Sequence, residues 1–483
     1  MKNLQSDSVM AGIFGSRLVS LVLLVSVLFA AAASGDISIE NEYLRVVVGE
    51  ESGRFEITAK ESGKLVVRDG RLAGEVSSAK KVSVSDSIWG DGDGILVEHS
   101  NGWESKLWVI PGDRFVRVHT LVVNRSAEPY VVASEELLEY GVDLGLPVSG
   151  LKSFGTGFLS DVDSAAGSFC FGAVVDPQSR RGVVSATLTQ DRGSGVFFTD
   201  VKGGRCYVRA RVDFGRYQVD PGQSRETETI LIGYFDDARF GLEAYADAVA
   251  KQYAIKLKPE PSVYCTWYHA KGSNEKDFLA NCEFASKHLK PFGLSVAQID
   301  NLWQTSFPKV NTYSDLQKDF VSNGPFKVFV ESNETYPHGM DYTAEKLEEM
   351  GIVAGLWFMP FAGTWTNPYF ADKQEFFAHW PDGSAVETRW SGTLLDMSNP
   401  KTQDFVRERI KRIYDWGYRY FKIDGIHTGA VTHNVYVNAG YATSGSWLNS
   451  RNFVGDQQAG FGQADVGAAS TVLSDPRMTH IEA

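Results

Sequence analysis

Two aspartates of this 483-residue chain, Asp300 and Asp424, each follow directly after a short apolar run. Such runs predict buried strands, and parallel strands carry their chemistry at their carboxyl ends. Lys422 lies two residues before Asp424, so strand alternation places both on one face. A nearby cation keeps a carboxylate ionised, and an ionised Asp is what attack on the anomeric carbon of a sugar requires. Asp424 is therefore a candidate nucleophile.

The segment that begins at Asp300 carries a second sugar-like pattern. Asp300 is followed by Asn301 and, after one residue, by Trp303. A carboxylate accepts hydrogen bonds from sugar hydroxyls, and an indole stacks on the C–H face of a sugar ring. A structural interpretation is equally open, with Asp300 as a helix cap and Trp303 as a packing residue.

The elements that must position these residues differ between the two halves of the chain. Residues 36–238 contain short β-rich segments broken by Gly- and Asp-rich turns, which predicts an all-β sandwich. Residues 239–260 predict a connecting helix and linker. Residues 261–483 alternate single apolar strands with amphipathic helices, which predicts parallel β/α units.

The predicted elements of the second half have definite bounds. The strands are predicted at Val263–Trp267, Ser295–Ile299, Val353–Phe358 and Tyr420–Ile423. The helices are predicted at Glu275–Leu289, Asp341–Met350 and Thr402–Trp416. Asn399-Pro400 predicts the start of the last helix and Gly417 its end, because an N-cap amide, an early proline and a terminal glycine favour these positions.

Composition and spacing exclude several other classes of function. The formal net charge is −13, and the sequence contains no cluster of Lys or Arg that could form a basic face for phosphate binding. Nucleic acid is therefore not a predicted partner. No Gly-rich phosphate loop follows a predicted strand, and no Cys or His spacing predicts a metal site. We therefore predict no cofactor and no metal.

Residues 1–35 predict a secretory signal peptide. Lys2 and Arg17 precede an apolar run, Leu18–Ala33, that ends in an Ala-x-Ala site. The run is shorter than the about 20 residues that a bilayer requires, so cleavage near Ala33 is predicted rather than stable membrane insertion. The mature protein is then expected to be secreted or periplasmic.

Several strand-end segments resemble the barrel motifs of glycoside hydrolase family 36. That family contains α-galactosidases, α-N-acetylgalactosaminidases and raffinose or stachyose synthases. The matching segments are Gly355–Pro360, Leu395–Pro400 and Tyr420–Asp424, with Asp300–Gln304 similar to the family's Asp-Asp-Gly-Trp segment and Tyr264–Tyr268 similar to its first barrel strand. The resemblance covers essentially the whole mature chain, since family members also carry an N-terminal β-sandwich.

The resemblance implies a fold, an activity and a set of site residues. It implies a (β/α)8 TIM-type barrel after the sandwich and a retaining hydrolase that acts on α-linked terminal sugars, most readily α-galactosides. Asp424 would be the nucleophile. The implied substrate-binding residues are Asp300, Asn301, Trp303, Trp357 and Lys422. Asn301 departs from the family, which has a second aspartate at that position.

Only about the first half of such a barrel fits within the sequence. Too few residues follow Asp424 for four further β/α units of about 30 residues each. The general acid/base, which the family places on a later strand, is therefore expected beyond the chain end. Asp456 and Asp465 lie in a long Gly- and Ser-rich segment and have no supporting motif. Asp475-Pro476 predicts a helix cap followed by helical turns over 477–483.

Two alternatives to an active α-galactosidase remain open from the sequence. The first is a catalytically inactive carbohydrate-binding fragment that keeps the hydroxyl contacts and lacks the acid. The second is an α-glycosidase of different sugar specificity. In each case the partner is an oligosaccharide or a glycoconjugate.

Overall fold

The computed structural model describes residues 35–483 with the exception of a set of internal positions. These are 157–158, 164–166, 270–273, 302, 304–333, 364, 366–369, 380–382, 386, 389–391, 425, 427–472 and 480. The predicted signal peptide, apart from Gly35, lies outside the described residues, as do Asp456 and Asp465.

The first half of the chain forms short antiparallel strands. They are β1 Asp36–Glu40, β2 Leu44–Gly49, β3 Phe55–Ala59, β4 Lys64–Leu72, β5 Val76–Asp86, β6 Gly90–His99, β7 Glu104–Val109, β8 Val116–Val123, β9 Tyr130–Val142, β10 Lys152–Gly155, β11 Leu159–Asp161, β12 Ser168–Phe169, β13 Phe171–Val175, β14 Gly182–Thr187, β15 Ser194–Lys202, β16 Arg205–Val219, β17 Ser224–Glu226 and β18 Ile230–Phe235.

These strands form two sheets that enclose one hydrophobic core. One sheet has the order β1-β2-β3-β4-β9-β16-β15-β12, and the other has the order β11-β10-β13-β14-β18-β8-β7-β6-β5, with β17 paired to β8. Alternate residues such as Val46 and Val48 on β2, and Ile95 and Val97 on β6, are fully buried in the same cluster. Period-two burial on both sheets is the arrangement of a β-sandwich.

Helix α1, Ala238–Gln252, follows the sandwich and packs against it. The Asp237 side chain accepts a hydrogen bond from the backbone N–H of Arg239 and caps the helix. Ala238 and Ala248 belong to a cluster that includes residues of β14 and β18. At the other end of the helix, the Trp89 indole N–H donates to the Gln252 side chain at 2.8 Å.

The second half of the chain contains a four-stranded parallel sheet with helices. Its elements are β19 Ser262–Cys265, α2 Thr266–His269, α3 Glu275–His288, β20 Leu294–Ile299, α4 Met340–Glu349, β21 Val353–Phe358, β22 Ala362–Gly363, β23 Glu387–Thr388, β24 Gly392–Leu394, α5 Pro400–Asp415 and β25 Tyr420–Ile423. The parallel order is β19-β20-β21-β25, and β22, β24 and β23 form a small antiparallel sheet. The predicted alternation of strands and helices is confirmed.

Helix α5 begins and ends where the sequence predicts. The Asn399 side chain accepts from the backbone N–H of Lys401, and Pro400 occupies the first turn. Gly417, with φ of +103°, follows the helix in the left-handed region.

The first strand of the parallel sheet is shorter than predicted. It ends at Cys265, and Trp267 and Tyr268 lie in the short helix α2, with the Tyr268 side chain 84% exposed. The backbone N–H of Asp300 donates to the Thr266 hydroxyl at 2.9 Å instead of continuing a strand ladder, which explains why the pairing stops. The predicted extension of this strand to Trp267 is therefore wrong.

The described C-terminal residues form turns rather than the predicted helical turns over 477–483. The reciprocal bonds of a capping box lie later than expected: the Thr479 N–H donates to the Glu482 side chain, and the Glu482 N–H donates to the Thr479 hydroxyl. The segment also touches the sandwich, because the Gln218 N–H donates to the Pro476 carbonyl at 2.6 Å. Within the described part of the chain, no helix is long and apolar enough to cross a membrane.

Candidate active site

Four of the predicted site residues meet at the carboxyl edge of the parallel sheet. Asp300 follows β20 directly, Asp424 follows β25, and Trp357 lies on β21 between these strands. Lys422 on β25 is paired in register with Trp357. Paired residues of parallel strands point to the same face. The sheet therefore brings together residues more than a hundred positions apart in the sequence.

Asp300 and Lys422 form an ion pair on this face. The Lys422 ammonium donates to Asp300 Oδ2 at 2.6 Å, and the side chains are 32% and 3% exposed respectively. A carboxylate buried to this extent requires a partner for its charge. The lysine supplies that charge while part of its own side chain still reaches solvent.

The surroundings of Lys422 favour its charged form. Burial alone would lower the pKa of the ammonium. The hydrogen bond and the negative charge of Asp300 outweigh burial, with a smaller contribution from Asp424, and the pKa lies above its ordinary value. Lys422 is therefore a permanent cation at neutral pH.

The direct partner of Lys422 differs from the one that strand alternation predicts. The sequence places the ammonium beside Asp424, whereas in the structure its ion-pair partner is Asp300. Asp424 acts on Lys422 only through a smaller Coulombic contribution. The physical reason is that a long lysine side chain can reach across the sheet, and the more deeply buried carboxylate gains more from the cation.

Asp424 is held by a tryptophan of the neighbouring strand. The Trp357 indole N–H donates to Asp424 Oδ2 at 3.0 Å. The backbone N–H of Asp424 donates to the Phe358 carbonyl at 3.0 Å, which extends the ladder between β21 and β25 by one bond. Asp424 is thus held through its backbone N–H and through one carboxylate oxygen.

Trp303 lies in the hydrophobic core rather than on an open surface. Its side chain is 1% exposed, and its ring meets Trp416 edge-on with centroids 6.0 Å apart. Its indole N–H donates to the Trp357 carbonyl at 2.8 Å. Trp303 therefore supports the strand that carries Trp357, whereas the resemblance implies that it lines the pocket. Asn301 is also buried, and its backbone N–H donates to Asp300 Oδ1 at 2.9 Å.

Two further residues contact Asp300 and were not predicted from the sequence. The Gln298 side-chain amide donates to Asp300 Oδ2 at 2.7 Å, and the Cys265 thiol donates to the same oxygen at 3.4 Å. Burial is the main cause that raises the pKa of Cys265, which keeps it a thiol at neutral pH. Gln298 lies two residues before Asp300, so strand alternation already placed it on the same face.

One cavity in the described part of the chain lies apart from these carboxylates. A cavity of about 450 Å³ lies between the start of α5 and the C-terminal segment and is lined by Glu375, Asn399, Lys401 and Arg477, among others. It contains none of the predicted site residues. Within the part of the chain that the structure describes, no group of three or more Cys, His, Asp or Glu side chains is arranged to hold a metal ion.

Comparison with known sequences gives distant relatives. No protein-family model matches the chain. An α-galactosidase of Lactobacillus acidophilus is 19% identical over 204 residues, which cover 41% of this chain and 26% of that protein. An α-galactosidase of Geobacillus stearothermophilus is 21% identical over 250 residues, which cover 48% of this chain and 32% of that protein. Each match spans about a third or less of the relative's length.

Comparison with solved structures gives the same kind of protein. The α-galactosidase of Lactobacillus brevis superposes with a TM-score of 0.54 at 12% identity, over 80% of this chain and 63% of that one. The family 36 α-galactosidase AgaA of Geobacillus stearothermophilus, in a complex with 1-deoxygalactonojirimycin, gives 0.53 at 14% identity, over 80% and 65%. At these identities the similarity shows the fold. The chain resembles the α-galactosidases of glycoside hydrolase family 36, as its strand-end motifs predicted.

Proposed function

We propose that this chain provides the sugar-binding and nucleophile side of a retaining α-glycosidase that acts on α-galactosides. The observation that carries the proposal is the convergence of two carboxylates at one sheet edge. Asp300 is paired with Lys422, and Asp424 is held by Trp357. One carboxylate thus has a cation as its partner for polar recognition, and the other is oriented for attack.

We further propose that the four-stranded parallel sheet is part of a (β/α)8 barrel. Its strands follow the order β19-β20-β21-β25 with helices between them, as successive barrel units do. The solved α-galactosidases that share the fold extend beyond the matched region, which covers 63–65% of their length. Catalytic residues at the carboxyl ends of strands are the rule in such barrels.

The proposed chemistry is a double displacement. A carboxylate oxygen of Asp424 attacks the anomeric carbon, the bond from that carbon to the leaving oxygen breaks, and the leaving oxygen takes a proton from a general acid. A covalent glycosyl-Asp424 ester forms. Water then attacks the same carbon, gives a proton to the base that the general acid has become, and the ester bond breaks to release Asp424. We assign no general acid among the described residues.

The proposed sugar is galactose, linked through its α-anomeric carbon. The solved AgaA structure in a complex with raffinose has the same fold as this chain. The Lys422 ammonium has donors for sugar hydroxyls, and it is held in place by Asp300 at 2.6 Å. We expect Lys422, which is partly exposed, to make the more direct hydroxyl contact of the pair.

A substrate that needs no general acid tests this proposal directly. With 2,4-dinitrophenyl α-galactoside the leaving group departs without a proton, so the Asp424 step is isolated. We expect a burst of dinitrophenolate and a protein whose mass rises by one hexosyl unit on the peptide that contains Asp424. Asp424→Asn should abolish both signals, and Asp415→Asn, an exposed aspartate of α5, should keep them.

Each outcome of this experiment decides between the alternatives. Binding of the galactoside without dinitrophenolate release supports the carbohydrate-binding protein and overturns the nucleophile. A burst with the gluco or the manno isomer, and none with the galacto isomer, overturns the sugar. A burst that persists in Asp424→Asn overturns Asp424.

A further inference from the structure

Gln298 is a buried amide in the middle of an apolar strand. Its side chain is 3% exposed, and its neighbours Ala297 and Ile299 are fully buried hydrophobic residues. A primary amide in such a position loses its hydrogen bonds to water and must find partners inside the protein. An apolar side chain would fill the same position without this requirement.

The side-chain amide of Gln298 contacts one carboxylate oxygen of Asp300. Gln298 donates to Asp300 Oδ2 at 2.7 Å, Lys422 donates to it at 2.6 Å, and Cys265 donates to it at 3.4 Å. The three donors come from β20, β25 and β19, and Asn301 donates to the other oxygen at 2.9 Å. A carboxylate with donors on both oxygens has a fixed rotation.

A glycine makes room for this arrangement. Gly355 on β21 is paired with Gln298 on one side and Tyr420 on the other. A Cβ at Gly355 would lie 3.1 Å from Gln298 Cβ and 3.0 Å from Tyr420 Cδ1. Because Gly355 has no side chain, β21 leaves space on the face that Asp300 and Lys422 share. The side chains of Asp300 and Lys422 meet across this strand.

We propose that Gln298, assisted by Cys265, is a positioning residue that sets the orientation of Asp300 and, through it, the place of the Lys422 ammonium in the sugar site. The proposal rests on the proposed function for its ligand, galactose. It does not make Gln298 a catalytic residue. Its effect on the sugar is transmitted through the Asp300–Lys422 pair.

The first test measures this coupling without any ligand. Urea unfolding of the full chain with Gln298→Leu, Lys422→Met and the double variant gives a double-mutant cycle. We expect the double variant to lose less stability than the sum of the single losses. Ile299→Val, on the opposite face of β20, is the matched control. When it is combined with Lys422→Met, the two losses in the free energy of unfolding should be additive. Additive losses for Gln298→Leu would overturn the proposal whether or not the protein binds sugar.

The second test measures affinity for 1-deoxygalactonojirimycin by calorimetry. We expect Gln298→Leu to bind about tenfold more weakly than the unchanged chain, as for loss of one hydrogen bond to a charged group. Ile299→Val should bind as the unchanged chain does. Cys265→Val removes a donor to Asp300 and should lower the affinity.

A third variant separates positioning from packing. Gln298→Glu donates to Asp300 only when it is protonated, and two ionised carboxylates at this distance repel each other. The affinity of Gln298→Glu, divided by that of the unchanged chain at the same pH, should therefore rise as the pH falls. The same ratio for Gln298→Leu should stay constant. If the unchanged chain binds the ligand and all variants bind it equally well, the positioning role is overturned and the proposed function is not. An unchanged chain that does not bind would overturn the proposed function instead.

Discussion

Asp300 shows how one buried carboxylate organises the residues around it. Its side chain is 3% exposed, and Lys422 is the cation that balances it. Removing one partner of a buried pair leaves a charge without compensation, which destabilises a protein more than the intact pair stabilises it. At the scale of single residues, the pair is therefore expected to govern the stability of this part of the sheet.

Replacement of both partners of this pair should cost less stability than the two single replacements added together. Lys422→Met should lower the free energy of unfolding by about 2 kcal/mol, a value reduced for the partial exposure of the lysine. Asp300→Asn combined with Lys422→Met should lose less than the sum of the two single losses. Urea denaturation of the three variants is the measurement. Strict additivity would show that the two side chains do not interact in solution.

At the scale of elements, strand β21 is the centre of the site because residues of both neighbouring strands, β20 and β25, contact it. It pairs with β20 and β25, its Trp357 binds Asp424, and its Gly355 leaves room next to Gln298. On its other face, Phe358 meets Phe421 edge-on with centroids 5.8 Å apart. One face of β21 thus carries the polar site and the other the core.

A side chain at Gly355 should disturb the polar face. The nearest atoms to an added Cβ are 3.0–3.2 Å away and belong to Tyr420 and Gln298, so Gly355→Ala is tight and Gly355→Val is overpacked. We expect Gly355→Val to lower the free energy of unfolding by about 1–3 kcal/mol and Gly355→Ala by less. Thermal unfolding with galactoside binding in parallel is the measurement. If Gly355→Val left stability and affinity unchanged, the space between Gln298 and Tyr420 would be large enough for a valine side chain.

At the scale of the whole molecule, the sandwich and the parallel sheet are connected by more than the chain between them. The Ser474 N–H donates to Asp396 Oδ2 at 2.7 Å, beside α5, and two residues later the Pro476 carbonyl accepts from Gln218 of the sandwich. Helix α1 packs on β14 and β18. Stability of the sandwich is therefore expected to influence the stability of the site.

The sandwich should lose stability in weak acid through a buried histidine. His99 is buried and bonds to the Ser105 hydroxyl at 2.8 Å, and burial lowers its pKa below the ordinary value of 6.5. The unfolded chain therefore binds the proton first. This contribution to stability is complete above about pH 6.5 and is lost as the pH falls toward the pKa of the folded protein.

Comparison of the unchanged chain with His99→Gln isolates this contribution. We expect the free energy of unfolding of the unchanged chain to fall more steeply between pH 7 and pH 5 than that of His99→Gln. At pH 7 the variant should be less stable by about 1 kcal/mol, the value of one hydrogen bond. Parallel pH curves for the two proteins would show that His99 does not titrate between these limits.

The sequence alone determined the order of the elements and the positions of the two aspartates. Apolar strands, amphipathic helices, and the cap at Asn399 are set by residues close together in the chain, so their patterns are readable without a structure. Asp300 and Asp424 follow their strands directly, and parallel β/α units bring such positions to one edge.

Only the tertiary structure decided which side chains touch. The sequence places Lys422 beside Asp424, yet its ammonium pairs with Asp300, which is 122 residues away. The burial of Trp303 depends likewise on Trp416 at the end of α5, and Asp300 receives donors from β19 and β25. Periodicity specifies the face on which a side chain lies. The reach of a long side chain, and the space left by Gly355, are set by elements that the chain brings together only on folding.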